Sequence, residues 1–375
     1  MSLSENLAKI DRLFRPIASL MSPGFYIDFY SRARRDFLYR LSNDEPRNLD
    51  IENWKKPVKL WDIEFNNPIF NAAGMFKSGN GYQMSALEGA GAWLAGTSTS
   101  NPRAGNKKFD ILHPFLSLPR TKSALNWLGL PNDGHIALAG KIKRFEKIKG
   151  CPVGVSVSAD PGDSGALALK NLVEGMKILH QSGADFIELN ESCPNVPHHD
   201  NNSETGLDNE MINRLEYIKD NFISQSNSKV PLIVKYSVDT KPELLDELIP
   251  MLIDMGFSGI NLGNTSISYE DYMEFINPKE LTSFKYFTEN FGGGVSGKLI
   301  AAKSLNLTIK AARILKSLQT RNEFHIIRTG GIENSKDVQQ TLDAGASLMQ
   351  WYTGYFENFS IFGHKVYKNI ISNNI

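Results

Sequence analysis

Reactive and polar side chains gather where short apolar runs end. Cys193 stands in the segment Asn190-Glu191-Ser192-Cys193-Pro194-Asn195, directly after an apolar run. A thiol there could act as a general base if its pKa is lowered or a bound substrate orders it. A lone intracellular cysteine is more often inert packing, but the company of this one is unusual. Asn126, Asn190, Asn195 and Asn264 all fall at comparable positions, and carboxamides suit a planar ligand with alternating donors and acceptors. Lys77 follows the run that ends at Asn71, and Lys235 interrupts the otherwise apolar LIVKYS. A lysine in a buried strand is costly unless it meets an anion or an acceptor. Lys235 could pair with Glu188 across the sheet. It could equally face the N1–C2=O edge of a flavin, where negative charge gathers on reduction.

Two glycine segments, FGGGVSGK (291–298) and RTGGI (328–332), have the composition of phosphate cradles. Glycine lets backbone N–H groups approach a phosphate closely. His198 and His199 have no cysteine or carboxylate at a recognisable ligand spacing, so no metal site is expected. Trp93 and Trp351 read most simply as packing residues.

The elements that must position these groups are eight apolar runs: PIFNAAG (68–74), AWLAGTS (92–98), VGVSVS (153–158), FIELNES (186–192), LIVKYS (232–237), GINLGN (259–264), HIIRTGG (325–331) and LMQWYT (348–353). Helical patterns such as LKNLVEGMKILHQSG, LLDELIPMLIDMG and DVQQTLDAG lie between them, each closing on a glycine. Apolar strands alternating with helices imply a parallel sheet covered on its outer face. Eight such units favour a closed (β/α)8 TIM barrel, in which the C-terminal strand ends carry the site and the loops after strands seven and eight bind phosphate. VKLWDIEFNNP (58–68) alternates like a hairpin, while residues 99–135 show little periodicity and read as a long loop over the site.

Residues 1–45 form a separate helical N-terminal extension to a barrel spanning 58–375. Leu7, Ile10, Leu13, Phe14, Ile17, Leu20 and Met21 recur at helical spacing, and Ser22-Pro23-Gly24 separates a second helix. One reading packs this pair on the barrel. The sharper reading is a basic, apolar-faced lid at a membrane surface, drawing on seven lysines and arginines (Lys9, Arg12, Arg15, Arg32, Arg34, Arg35, Arg40). The whole chain is 41% hydrophobic and 22% charged with zero formal net charge, so no global field recruits nucleic acid. Two cysteines, no secretory pattern and no long apolar span suggest a cytoplasmic protein, with at most peripheral contact with the inner face of the cytoplasmic membrane.

Together the motifs resemble the dihydroorotate dehydrogenases, FMN enzymes of pyrimidine synthesis. The likeness spans about residues 58–366 and is carried by NESCPN (190–195), ALNWLGLPNDG (124–134), GGGVSGK (292–298) and TGGI…DAGASLMQWYT (329–353). The resemblance implies that Cys193 removes the C5 proton of dihydroorotate while hydride passes from C6 to N5 of FMN. It implies that Asn126, Asn190, Asn195 and Asn264, with Thr265, hold the orotate ring. Backbone groups of Leu128, Gly129 and Leu130 would meet the orotate carboxylate, and Lys77 would bridge substrate and flavin. Lys235 would face the flavin N1 edge, within a pocket to which Ala73, Gly74, Thr97, Ser156, Asn190, Asn264 and Ser296 contribute. Gly297, Gly330, Gly331, Tyr352 and Thr353 would hold the ribityl phosphate.

The electron acceptor is read from mixed features. Cys193 and the following VPHH look like the soluble branch of the family, where the quinone-linked branch places serine. Lys77, GTSTSNPRAGN (96–106) and the helical extension look like the quinone-linked branch, although Ser156 stands where that branch has an FMN-binding asparagine. A quinone acceptor is favoured because the amphipathic extension has no role in the soluble enzymes; fumarate or NAD is the alternative. Two further readings are a flavin oxidoreductase acting on another pyrimidine and a non-catalytic barrel kept as a binding protein. The four asparagines argue against the first, and the retention of Cys193, Lys77 and Lys235 against the second.

Overall fold

A computed structural model describes residues 1–46, 49–191, 207, 209–225, 230–318, 320 and 322–372. Helix α1 (Leu3–Ala18) opens on a capping box: Ser2 Oγ accepts from Glu5 N, and Glu5 Oε2 accepts from Ser2 N. Helix α2 (Pro23–Leu41) carries its proline in the first turn, where the missing N–H costs nothing. The two helices bury different chemistry. On α1 the buried positions are Ser4, Ala8, Arg15 and Ala18, while Leu7, Ile10, Leu13, Phe14 and Ile17 are exposed. That is the reverse of a helix docked by its apolar face. On α2, Tyr26, Ile27, Tyr30 and Leu41 enter the core.

A hairpin of β1 (Val58–Leu60) and β2 (Ile63–Phe65) follows, as its alternation predicts. Then come β3 (Ile69–Asn71), α3 (Tyr82–Glu88) and β4 (Trp93–Ser98). The segment after β4 is not the irregular loop expected from its composition. It holds the hairpin β5 (Lys107–Lys108) and β6 (Ile111–Leu112), then β7 (Phe115–Leu118) and β8 (Ser123–Asn126). The chain continues through α4 (His135–Ile142), β9 (Val153–Val157), α5 (Gly165–Gln181), β10 (Phe186–Asn190), α6 (Asn209–Ile218), β11 (Leu232–Tyr236), α7 (Leu245–Asp254) and β12 (Gly259–Leu262). It ends with α8 (Leu281–Asn290), β13 (Gly294–Gly297), α9 (Ala301–Ser317), β14 (His325–Thr329), α10 (Ser335–Asp343), β15 (Leu348–Trp351), α11 (Thr353–Phe362) and α12 (Val366–Ser372).

Eight parallel strands run in the order β3-β15-β14-β12-β11-β10-β9-β4, one from each expected run. The seam between β3 and β4 is closed partly by backbone contacts, such as Gly74 N to Gly96 O at 2.7 Å, and partly by a side chain. Asn71 donates from Nδ2 to Leu94 O at 2.7 Å and accepts from Leu94 N at 3.1 Å, imitating a strand neighbour. Gly183, Gly256 and Gly345 end α5, α7 and α10 with positive φ, as the sequence suggested. The barrel floor is apolar: Phe70, Phe186, Ile233, Ile327 and Leu348 pack with Leu60 and Phe65 of the hairpin. Above that floor the interior turns polar.

The segment 291–298, expected as a glycine cradle, has a regular form. Its residues 294–297 form β13, which pairs antiparallel with β8, itself paired with β7. The glycines ahead of β13 serve close backbone packing, since a Cβ on Gly293 would lie 2.2 Å from Asn126 O. This three-stranded sheet stands over the barrel mouth and carries α2 on its other side, where Ser31 Oγ accepts from Phe115 N and Tyr26 donates to Ser117 O.

Candidate active site

The strand ends surround a cavity of about 1060 Å³, counting its open mouth. The β3 end supplies Ala73, Gly74 and Lys77, and β4 supplies Thr97. The side sheet and the loop after β8 add Asn126, Leu128, Leu130, Ser296 and Gly297. Asn190 enters from β10, Lys235 from β11, and Asn264 and Thr265 from the turn after β12. Gly330 and Gly331 follow β14, and Tyr352 and Thr353 follow β15. Residues scattered over nearly the whole barrel thus share one space. Cys193 and Asn195 lie outside the described residues.

Two expected residues do not border the cavity. Ser156 is fully buried behind Thr97, with its hydroxyl 3.1 Å from Thr97 Oγ1, which in turn accepts from Asn190 Nδ2 at 3.0 Å. Its route to a ligand therefore runs through Thr97. Gly129 makes the turn between Leu128 and Leu130, with φ +71 and no room for a Cβ beside Asn106. It presents its neighbours rather than itself.

Lys235 meets Glu188, as one reading of its sequence position has it. Its ammonium lies 3.4 Å from Glu188 Oε1 and 3.1 Å from Gln350 Oε1, and it also lines the cavity. Cys151, the other cysteine, is buried ahead of β9 and outside the cavity lining, and burial pushes its thiol well above the ordinary range, which makes it inert.

Several positions in or around the cavity left no readable mark in the sequence. Arg34 of α2 and Phe115 of β7 form part of the cavity wall. A helix outside the barrel and a strand inside an apparent loop give no periodic signal toward a site. His113 lies near them without lining the cavity; burial pushes its imidazole down to about 4, and nearby Lys77, Arg35 and Arg34 act in the same direction. Arg328, the first residue of RTGGI, is 2% exposed and braces the glycine turn from outside. It donates to Ser304 Oγ, Thr341 Oγ1 and Ala301 O, while Ser304 Oγ donates to Gly330 O. Burial lowers its pKa to about 10.

One end of the cavity is prepared for an anion. Helix α11 begins at Thr353 with no side-chain cap on its first N–H groups among the described residues, and Thr353 and Gly354 border the cavity. Gly331 must be glycine, because its φ is +72 and a Cβ would meet Ala301 Cα at 2.3 Å. At the other end Gly74 (φ +97) has nothing within 4 Å of where a Cβ would stand, an open shelf a flat ring could cover. Ring shelf, amides, lysine and anion end fit a phosphorylated flavin. Among the described residues no cluster of His, Cys, Asp or Glu is arranged to hold a metal.

A sequence model of the dihydroorotate dehydrogenases matches residues 56–373. The chain belongs to the dihydroorotate dehydrogenase family. Two relatives, each named dihydroorotate dehydrogenase (quinone), illustrate the distance. The protein of Trichodesmium erythraeum (strain IMS101) is 30% identical over 300 residues, covering 79% of this chain and 73% of its own. That of Coxiella burnetii (strain Dugway 5J108-111) is 29% identical over 329 residues, covering 84% of each. The ligand-free DHODH of Eimeria tenella shares the fold, with a TM-score of 0.72 at 21% identity over 91% of this chain and 92% of that one. The match to the dihydroorotate dehydrogenases begins at residue 56, so helices α1 and α2 lie ahead of it.

Proposed function

We propose that the chain oxidises dihydroorotate to orotate, with FMN held in the barrel-mouth cavity and a quinone as the final electron acceptor. The observation that carries this reading is the convergence of Lys77, Asn126, Asn190, Asn264 and Thr265 on a cavity that also holds Lys235 and an anion-ready helix end. When bound, FMN supplies an acceptor for the hydride leaving dihydroorotate C6, chemistry that no side chain offers.

The chain's own residues do the rest. The amides donate to and accept from the pyrimidine edges and fix the ring's orientation. Lys77 supplies a cation to the cavity, where it would meet both substrate and flavin. Cys193 takes the C5 proton as general base, so that one proton and one hydride leave together and a C5=C6 double bond remains. The N–H groups of α11 and the Gly330-Gly331 turn would hold the phosphate, and Lys235 would offset the negative charge that reduction brings.

The quinone step draws support from the names of the relatives and from the extension. Arg34 reaches from α2 into the cavity wall, and the outer face of α1 is apolar. Among the described residues no helix is long and apolar enough to cross a membrane. Contact with a bilayer would therefore be peripheral.

The deciding experiment is anaerobic. The purified protein is expected to be yellow, to release FMN on denaturation and to bleach with dihydroorotate. Reoxidation is then followed separately with a long-chain quinone, fumarate and NAD. Release of FAD, or no bleaching, defeats the reading; rapid reoxidation by fumarate alone defeats its quinone part.

A further inference from the structure

The polar layer beneath the cavity contains a charge that the proposed chemistry does not use. Glu188, on β10, is 1% exposed and points into the barrel interior one layer below the cavity. Its Oε2 accepts from Asn261 Nδ2 and Gln350 Nε2, each at 2.7 Å. Its Oε1 turns the other way, toward Lys235 Nζ at 3.4 Å. Gln350 Oε1 accepts from the same ammonium at 3.1 Å, and Thr329 hydroxyl donates to Asn261 Oδ1 at 2.8 Å. Five neighbouring strands, β10, β11, β12, β14 and β15, each contribute one side chain to this network.

The arrangement has a direction. Two amides hold one carboxylate oxygen and leave the other for the lysine. An ammonium has three N–H groups; two point down to Glu188 and Gln350, leaving one for the cavity that Lys235 lines. A buried carboxylate is costly, and its best compensation here is that same ammonium. The cavity therefore faces the positive end of an ion pair, not an isolated cation, and a dipole acts more weakly than a full charge in a low-dielectric site.

We infer that Glu188 is a positioning residue that sets how much of the Lys235 charge reaches the cavity, and so sets the reduction potential of the flavin held there. The inference rests on the reading of the cavity as an FMN site. Two-electron reduction places negative charge on the ring, which an uncompensated lysine would favour strongly and a paired lysine favours less. Glu188 thus keeps the potential low enough for the electrons to leave again.

The test is a set of midpoint potentials, measured by dye equilibration on the flavin-loaded full chain, with thermal unfolding alongside. Glu188→Gln, nearly isosteric, is expected to raise the potential relative to wild type. Lys235→Met is expected to lower it, by leaving the carboxylate alone beneath the ring. The double variant E188Q/K235M buries no unpaired charge and serves if a single variant fails to fold. Its potential is expected nearer to wild type than that of Lys235→Met. An unchanged or lowered potential in Glu188→Gln overturns the inference, as does a double variant no higher than Lys235→Met. A wild-type protein that binds no flavin instead overturns the underlying reading, and the flavin absorbance shows which has failed.

Discussion

Arg34 on α2 donates from Nε to the hydroxyl of Tyr352 at 2.8 Å, and its guanidinium carbon lies 5.6 Å from the centre of that ring. The same guanidinium sits 5.4 Å from the Phe115 ring. One arginine thus ties the helical extension, the side sheet and the end of β15 into a single wall. Truncating the extension would remove that wall as well as any entry path, so a point variant separates the two effects.

Arg34→Met is expected to slow reoxidation by a long-chain quinone about tenfold, the size of one lost charged hydrogen bond of roughly 1.5 kcal/mol. Stopped-flow absorbance of the pre-reduced protein measures it. Equal slowing of dihydroorotate-driven reduction would mean that Arg34 merely holds the wall together.

At the substrate end, Lys77→Ala should weaken orotate binding and slow flavin reduction together, as read by titration of the flavin spectrum and by stopped flow. Cys193→Ala should leave FMN bound while reduction falls by about 10²–10⁴-fold, the usual contribution of a general base. Reduction within about threefold of wild type would place the base elsewhere. Cys193→Ser should keep part of the activity with its optimum moved to higher pH, since an alcohol is a poorer base than a thiol.

Much of this site was legible because barrel geometry converts a one-dimensional rule into a place. Asn190 and Asn264 are far apart in the chain, yet each closes an apolar run, Lys235 stands out inside a third, and parallel strands bring their C-terminal parts to one rim. What escaped the sequence were groups whose partners come from other layers. Gln350 looks like an ordinary strand polar until the register sets it beneath Lys235 beside the expected Glu188. The side sheet β7–β8–β13 was hidden because its strands are short and its third member lies far along the chain. The extension was read correctly as two helices. Its orientation was left open between two readings, because helical spacing shows an apolar face and not what covers it; the exposed face is the one the lid reading requires.

A second tie holds the extension and gives a pH dependence. His364 Nδ1 lies 2.7 Å from Glu88 Oε1, and Nε2 lies 3.1 Å from Asp44 Oδ2, which also accepts from Ser2 Oγ. The His364 N–H reaches Glu5 Oε1, and Tyr355 donates to Glu88. Burial raises the Glu88 carboxyl to about 7. Burial opposes charge on His364, but its hydrogen bond to Glu88 and the Glu88, Asp44 and Glu5 carboxylates outweigh it and raise its pKa. Both groups hold protons more tightly folded than unfolded, so their contribution is lost as pH rises past the unfolded values and is gone above the folded ones, of which that of Glu88 lies at about 7. Hydrogen exchange across residues 3–18, corrected for intrinsic rates, should therefore show less protection at pH 9 than at pH 6. His364→Asn should lose protection already at pH 6 and flatten the dependence. A variant that keeps the wild-type profile removes His364 from the account.

Nearer the other end of α1, Arg15 is largely buried and pairs with Glu357 at 2.6 Å and Asp11 at 3.1 Å. Arg15→Met keeps the stem and deletes the charge. Because Glu357 is partly exposed, the expected loss is about 1–3 kcal/mol, less than for a fully buried pair. It should appear in denaturant unfolding as a lower midpoint. No change in midpoint would mean that the pair contributes orientation without stability.

The outward face of α1 yields the last prediction. Ile10, Leu13 and Ile17 stand one turn apart at 63%, 79% and 64% exposure, with Phe14 beside them. Charge is a weak reason for membrane contact, contrary to the basic lid expected from the sequence. The seven basic residues of 1–45 face six acidic ones (Glu5, Asp11, Asp28, Asp36, Asp44, Glu45), leaving a single net positive charge. That is worth about 1 kcal/mol at an anionic surface. The apolar face offers more, at about 1.5–3 kcal/mol for each large side chain fully buried. The triple variant Ile10→Glu, Leu13→Glu and Ile17→Glu removes that term without touching a buried position, so thermal stability should be nearly unchanged. It should lose co-sedimentation with neutral phosphatidylcholine vesicles, and turnover with a long-chain quinone in those vesicles should fall by about tenfold or more. Flavin reduction by dihydroorotate and turnover with a short, water-soluble quinone should stay at wild-type rates. If the triple variant sediments with vesicles as wild type does, α1 does not rest on lipid, and its apolar face is covered by something else.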